Sequence, residues 1–531
     1  MAKVIDLKEV GNFVKDGDTI YITGFASGYA EDVMIAIEQS FLETGHPREI
    51  TCYHPAIGNF NDRGLHQFAH EGMLKRVVAA HYKCTGPKVC KFVNENKFEA
   101  YNLPMGIIYT MSRNIAARRP GILTKVGLGT FVDPRVEGGK INQKARENED
   151  LVEVVQFDNE EWLYYKLPKI DVTLIRGSVA DENGNISFYR EAIHVDWFSA
   201  AQAAKASGGI VIAQVETIVK AGTLHPKDVK VPGLVVDYLV LGKREHHYQT
   251  VLDYFSPVYN GDIKVPINSE ILLEMDERKI IGRRAALELT LGAVVNLGIG
   301  MPEAVSAVAA EENVTRLLHL TTESGAIGGA PAPGLEFGHA INADAVIGSP
   351  NQFDFYDGGG LDVAFLGAAE IDRYGNVNVS KLKSAPIGCG GFINITQNAK
   401  KLVFCGTFTT GGLAVKIADG KLTIVQEGKN KKFIADVQQI TFSGKYAASI
   451  GQRVLYVTER AVFLFTAEGL ELIEIAPGVD LEKDILGLMD FKPIIKNVRM
   501  MPREIFQEVW GVLAETISPA QGNSLELASL S

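Results

Sequence analysis

The sequence predicts two homologous α/β domains with mainly parallel sheets, fused in tandem. Three observations carry this. The chain has 531 residues, more than one core holds, and two domains of ~200–250 residues suit it better. Its Val-, Ile- and Leu-rich runs are near-continuous, as in strands buried on both faces, and helical stretches lie between them. The chain also repeats itself. Asp171-Val172-Thr173-Leu174-Ile175-Arg176-Gly177, followed by Asp181-Glu182-Asn183-Gly184-Asn185-Ile186, returns as Asp362-Val363-Ala364-Phe365-Leu366-Gly367 and Asp372-Arg373-Tyr374-Gly375-Asn376-Val377, 191 residues later. Each copy is a buried strand, then a tight Asp-x-x-Gly-Asn turn whose glycine takes positive φ, then another strand.

Earlier elements extend the match. Asp16 to Phe25 and Leu291 to Gly300 are apolar strands that enter glycine turns, each followed by a helix. Glu31 to Leu42 and Arg278 to Leu289 have helical spacing, and Pro302 suits the first position of the helix after the second turn. Gly24 and Gly298 stand 274 residues apart, 83 more than 191, so the first half carries about 80 extra residues, mostly within 50–145. A turn-rich stretch at 256–262 marks a boundary. It divides the chain into a first domain 1–255, a linker 256–275, a second domain 276–517 and a loosely ordered tail 518–531. After about 420, the runs 422–425, 437–442, 454–457 and 462–465 read as successive strands, expected antiparallel.

Composition narrows the function. A net charge of −11 argues against nucleic acid or an anionic membrane as the main partner. No run of 18 apolar residues occurs, so no membrane span is expected. The N-terminus carries acids early and has no long apolar stretch, which points to a cytoplasmic protein. The five cysteines read as reduced thiols, and Cys84-x5-Cys90 is too wide for a zinc knuckle. His246-His247 has no third ligand nearby and reads as a solvated face; no metal is expected. Asp171 and Asp362 read as strand-end residues, and Lys279, Arg283 and Arg284 as a solvated helix face rather than phosphate ligands.

Glu323 is the candidate catalytic residue. It lies in Leu320-Thr321-Thr322-Glu323-Ser324-Gly325, a β-prone run that ends abruptly in small residues. Ligands of parallel sheets bind beyond the carboxyl ends of the strands. The turn Gly298-Ile299-Gly300-Met301-Pro302 belongs at such an end, and so does the loop Gly388-Cys389-Gly390-Gly391. Glycines there allow backbone N–H groups to approach a ligand closely and to stabilise an oxyanion. Cys389 reads as a small buried residue rather than a thiol nucleophile.

Three blocks in order resemble the family I coenzyme A transferases: Asn296 to Pro302, Thr322-Glu323-Ser324-Gly325, and Gly360 to Ala368. The first half resembles the partner (alpha) subunit of two-subunit members, with Gly127 to Arg135 and Gly138-Gly139-Lys140 similar to its Gly-Thr loop; the second resembles the nucleophile-bearing beta subunit. The likeness is greatest to single-chain members acting on short acids. Two motifs depart from the family: Thr23-Gly24-Phe25 precedes Ala26-Ser27-Gly28 rather than Gly-x-Pro, and Ser324 stands where many members have Asn. The resemblance implies coenzyme A transfer between short-chain carboxylic acids such as propionate, lactate and acetate. It implies Glu323 as a covalent nucleophile, ping-pong kinetics, coenzyme A as substrate with no permanently bound cofactor, and a homo-oligomer, dimer or tetramer. The loop Thr130 to Arg135 is expected to close the cleft from the first half. A thioester hydrolase on the same fold would differ by releasing thiol without added acid.

Overall fold

The repeat is visible as two sheets of matching topology in a computed structural model that describes residues 2–266 and 273–517. The predicted tail 518–531 and part of the predicted linker 256–275 lie outside the described residues. The first sheet runs Tyr238–Leu241, Ile210–Val219, Val172–Asp181, Thr19–Ile22, Ile50–His54, Leu74–Ala79, Glu99–Asn102, all parallel. The second runs Arg453–Val457, Lys401–Cys405, Val363–Gly367, Val294–Leu297, His319–Thr321, also parallel. These two stretches correspond strand for strand up to Ile50–His54 and His319–Thr321. Apolar burial on both faces explains the continuous runs: Val363, Ala364, Phe365 and Leu366 are all buried.

The duplicated aspartates do the same work twice. Asp171 accepts the Thr19 N–H at 3.1 Å, and Asp362 accepts the Val294 N–H at 2.9 Å, each pinning the start of the neighbouring strand. Asp181 takes the N–H groups of Asn183 and Asn185 and the Asn185 amide, each at 3.0 Å. Asp372 takes those of Tyr374 (2.9 Å) and Asn376 (3.0 Å) and the Asn376 amide (2.9 Å). Gly184 and Gly375 sit at φ +88° and +74°, which glycine adopts without strain. Strand register corrects one spacing. Ile20 pairs with Val172 and Val295 with Val363, an offset of 275 where Gly24 and Gly298 stand 274 apart.

The halves differ at their margins. The first half's extra length builds two further parallel strands, Leu74–Ala79 and Glu99–Asn102, and an antiparallel sheet of Gly121–Thr124, Glu160–Lys166 and Val152–Phe157. In the second half the expected run of antiparallel strands after 420 is only partly formed. Arg453–Val457 is parallel to its neighbour, and Ala461–Thr466 is antiparallel. Lys421–Gln426 forms a separate hairpin with Ala414–Ala418. Residues 437–442 form no strand, because their backbone is used elsewhere: the Ile440 carbonyl accepts the Phe131 N–H at 2.7 Å, and Phe442 bridges Val377.

The helix Glu277–Ala286 is not solvated as expected. Helix Glu303–Glu311 covers one side so closely that a Cβ on Gly282 would lie 2.8 Å from the Ala304 carbonyl oxygen. Lys279 is buried against Glu311 at 2.9 Å, and Arg284 forks onto Glu474 at 2.6 and 3.0 Å. Arg283 donates to the carbonyls of Ile505, Gln507 and Glu508. All three cations are occupied inside the second half, and Arg283 holds the C-terminal segment down. His246-His247 also departs from expectation. His246 meets Asp32 at 2.6 Å and His247 is buried. Among the described residues no cluster of side chains suits a metal ion, and no helix is long and apolar enough to cross a membrane.

Replacing Asp372 by Ala removes four bonds to a buried carboxylate, the fourth a long one of 3.4 Å from the Val437 N–H, a loss of ~2 kcal/mol. The expected outcome is a Tm about 4–8 °C lower by scanning calorimetry, with Asp181→Ala giving a drop of similar size.

Candidate active site

Glu323 sits at the tip of a tight turn after strand His319–Thr321. The Gly325 N–H returns to the Thr322 carbonyl at 3.1 Å, and the Thr322 N–H donates to the Ala326 carbonyl at 2.9 Å. Gly325 takes φ +115°, and a Cβ there would overlap the Ile347 carbonyl. Buried hydroxyls lock the turn. Thr322 and Ser324 share a hydrogen bond at 2.9 Å, Ser324 donates to the Gly338 carbonyl, and Ser349 donates to the Ser324 carbonyl at 2.7 Å.

The carboxylate projects into a cavity of about 340 Å³ walled by both halves. Burial pushes its pKa up to about 7, and the Gly391 amide N–H opposes that only in part. A Cβ on Gly391 would overlap Glu323 Oε2, so only glycine leaves the oxygen its place.

The loop Gly388 to Gly391 is also the seam between the halves. The Cys389 N–H donates to Asn102 Oδ1 at 3.0 Å and the Gly390 N–H to the Ala80 carbonyl at 2.8 Å. The Gly390 carbonyl accepts the Met105 N–H at 2.9 Å, and the Gly388 N–H goes to the Ser380 carbonyl at 2.9 Å. Three of the four predicted oxyanion donors are therefore already engaged, which leaves Gly391 facing the carboxylate. Cys389 is buried, and burial pushes its thiol pKa up, which keeps it protonated.

Of the remaining predicted residues, Gly298 and Ile299 line the cavity. Gly300, Met301 and Pro302 do not: the chain turns away at Gly300 (φ +86°) to begin helix Glu303–Glu311, and Met301 packs into the core of the second half. The loop Thr130 to Arg135 reaches the second half, but behind the helix Phe392–Asn398, where Thr130 lines a small space together with Thr396, Gln397 and Ser443. The first half's wall of the cavity is instead Phe25, Ala26, Ala56, Phe60, His81, Cys84 and Met105. In the sequence Phe25 stands out only as part of the departing motif Thr23-Gly24-Phe25. Nothing local to Ala56 or Met105 marks them, because the fold alone brings them there. Beyond Leu297, Gly298 and Phe337 lies a second groove of about 560 Å³, bordered by Arg278 and Arg316.

A sequence profile described as coenzyme A transferase matches residues 6–242 and 278–434. The chain belongs to the coenzyme A transferase family. It is 46% identical over 519 residues to caffeate CoA-transferase of Acetobacterium woodii, covering 96% of this chain and 98% of that one. It is 42% identical over 510 residues to acetate CoA-transferase YdiF of Escherichia coli strain K12, covering 95% of each. The crystal structure of YdiF apoenzyme from Escherichia coli O157:H7 superposes with a TM-score of 0.90 at 40% identity, over 96% of this chain and 97% of that one. A thioester complex of that enzyme with CoA superposes at 0.88. This coenzyme A transferase accordingly moves coenzyme A between carboxylic acids.

Two expectations follow from the geometry. Gly391→Ala displaces the Glu323 carboxylate, and since ~1 Å of misplacement costs ~10²-fold, steady-state transfer from acetyl-CoA falls by about that factor. The second concerns stability. The folded-state pKa of Glu323 lies above its ordinary value of 4.5, so the fold favours the protonated acid. Stability present below pH ~4.5 is lost as pH rises through about 7, by ~3 kcal/mol at most. Glu323→Gln therefore has a higher Tm than the parent at pH 8.5, and the difference shrinks at pH 5.5.

Proposed function

We propose that this enzyme transfers coenzyme A between short-chain carboxylic acids through a glutamyl-CoA thioester on Glu323. The observation that carries the reading is a lone carboxylate, buried at a strand tip in a cavity between the halves, with one free amide opposite. Glu323 attacks the acyl-CoA thioester carbonyl, the C–S bond breaks, and coenzyme A leaves as thiolate. The resulting acyl-glutamyl anhydride is attacked at its glutamyl carbonyl by that thiolate, which releases the first acid as carboxylate and forms the enzyme thioester. A second carboxylate attacks the same glutamyl carbonyl, and the expelled thiolate then attacks the incoming acyl group, regenerating Glu323. This is covalent catalysis with ping-pong kinetics.

The surroundings suit each step. A carboxylate raised to about 7 is more basic than an exposed one and still ionised in good part near neutrality. The hydrogen bond of the Gly391 N–H to the Glu323 carboxylate supports a role for it as donor to the tetrahedral oxyanions, worth ~10²–10³ in rate. The apolar walls exclude the water that would hydrolyse anhydride or thioester. The groove bordered by Arg278 and Arg316 offers the pantetheine arm a course outside the acyl cavity. Gly298 and Ile299 would meet the coenzyme where the two spaces adjoin. The acetate in the name of the YdiF relative supports a short acid. The same reading places the halves at 1–255 and 276–517, the assembled enzyme as a homo-dimer or tetramer, and its site of action in the cytoplasm, where its five free thiols stay reduced.

Incubation with acetyl-CoA followed by mass spectrometry is expected to show a coenzyme A adduct on Glu323. Borohydride reduces it, and Glu323→Ala loses both adduct and turnover; an unmodified Glu323 under turnover refutes the mechanism. The rate also reports the pKa: kcat/KM for acetyl-CoA rises with pH and levels off above an apparent pKa near 7.

A further inference from the structure

The Gly391 amide meets Glu323 from the N-terminal end of the helix Phe392–Asn398, so the position of that helix decides whether the amide reaches the carboxylate. Asn394, buried on its first turn, ties the helix to two neighbours. Its Oδ1 accepts the Gly106 N–H of the first half at 3.1 Å, and its Nδ2 donates to both carboxylate oxygens of Asp357, at 3.0 and 3.1 Å. Asp357 is the last residue of the helix Ser349–Asp357. Phe353 of that helix fills the space between the glycines: a Cβ on Gly391 would stand 3.0 Å from its ring, and a Cβ on Gly106 2.9 Å. A shift of Asn394 against Gly106 is thus passed to Gly391 through Phe353 and one turn of helix.

Asp357 settles which way the Asn394 amide points. An ionised carboxylate only accepts hydrogen bonds, so Nδ2 must face it and Oδ1 is left for the Gly106 N–H. Without that acceptor nothing opposes the reverse orientation, in which the NH2 group meets another donor at Gly106. The charged and titratable neighbours of Asp357 are Asp354 on its own helix, Arg113 on the helix Met105–Ala116 and Tyr165, with Asn398 beside it. Arg113 is already taken by Asp354, through two bonds of 2.6 Å. Burial pushes the Asp357 pKa up to about 7, so the ionised form prevails on the alkaline side. Asp357 lines neither the acyl cavity nor the adjoining groove. Its influence on the reaction runs through Asn394.

We propose that Asp357 is a positioning residue for coenzyme A transfer: by orienting the Asn394 amide onto Gly106 it fixes the helix Phe392–Asn398, and with it the Gly391 N–H opposite Glu323. This rests on Glu323 being the nucleophile and adds to that reading a group that touches neither substrate space.

The test follows adduct formation on Glu323 at saturating acetyl-CoA and pH 8.5 by quenched-flow mass spectrometry. It compares the full-length parent with Asp357→Asn, Asp357→Leu, Asn394→Leu and the double variant Asp357→Leu/Asn394→Leu. Asp357→Asn keeps an acceptor for Nδ2 and is expected to stay within about threefold of the parent, whereas Asp357→Leu slows the step about tenfold, with the half-saturating acetyl-CoA concentration little changed. The double variant is expected to be no slower than Asn394→Leu, because both changes break one chain of contacts. The pH profile is a readout that lost packing alone would not move. Residue 357 titrates in neither Asp357→Asn nor Asp357→Leu, so their profiles report Glu323. Its apparent pKa is expected to be higher in Asp357→Leu, where the Gly391 bond is weakened, than in Asp357→Asn. Equal pKa values, equal rates in these two variants, or additive losses in the double variant overturn the proposal. If Asp357→Leu does not fold, Asp357→Ala is read in its place. The adduct separates the two readings. If it forms in the parent and the variants fail these expectations, only the present inference fails; if no adduct forms in the parent, the mechanism fails and this inference with it.

Discussion

The site depends on keeping one carboxylate out of water without giving it a cation. An ion pair would lower the pKa of Glu323 and weaken it as a base. Full burial with no donor would leave it protonated at neutral pH. The structure sits between these limits: burial raises the pKa to about 7, and the Gly391 amide opposes it. That balance needs an amide at close range with no side chain in the way, which is why Gly391 faces Glu323 and why a single added carbon would collide with it.

The glycine loop meets this need by being fixed from the other half. Its amides and carbonyls are tied to Ala80, Asn102 and Met105, so the position of Gly391 is set by contacts with the first domain. A Cβ on Gly388 would lie 2.7 Å from the Ala80 carbonyl oxygen and the His81 Cα, so the two backbones meet without side chains between them. The seam extends along the next helix, where Asn394 accepts the Gly106 N–H at 3.1 Å and Gln397 accepts the Gly127 N–H at 2.7 Å. Preorganisation of the amide therefore depends on the interface between halves, and a variant that loosens the interface would alter the rate before it altered the core.

The sequence carried the fold and the position of Glu323 because both leave short-range traces. Buried parallel strands give continuous apolar runs, the Asp-x-x-Gly-Asn turns recur at fixed spacing, and Thr322-Glu323-Ser324-Gly325 joins a strand end to a turn. What it did not carry was set by distant packing. Nothing around Arg283 announces that Ile505 and Gln507 will cover it. Nothing in Gly300 to Pro302 tells that the chain leaves the cavity there, since a glycine turn toward a ligand and one toward a helix look alike. The loop at Thr130 meets the second half as its sequence suggests, but on the side away from the cavity. The apolar wall from Ala56, Phe60 and Met105 has no motif, because ordinary core residues become a binding surface only when the second domain stops short of them.

The duplication explains why there is one such carboxylate and not two. By strand register Cys52 in Ile50–His54 stands where Leu320 stands in His319–Thr321, since Cys52 pairs with Ile20 and Leu320 with Val295. Pro55 then occupies the place of Glu323, and its neighbour Ala56 lines the same cavity. Two equivalent strand tips thus meet across the space, one bearing the acid and the other a bare apolar turn. Two carboxylates converging there would repel and share a proton, and the cavity would turn polar enough to hold water. The strand-pinning aspartates, by contrast, persist in both copies, because Asp171 and Asp362 serve each sheet separately and neither faces the cavity. What the copies share is the requirement of the fold, and where they differ at the tips is the carboxylate for which the proposed mechanism requires a solitary, dry place.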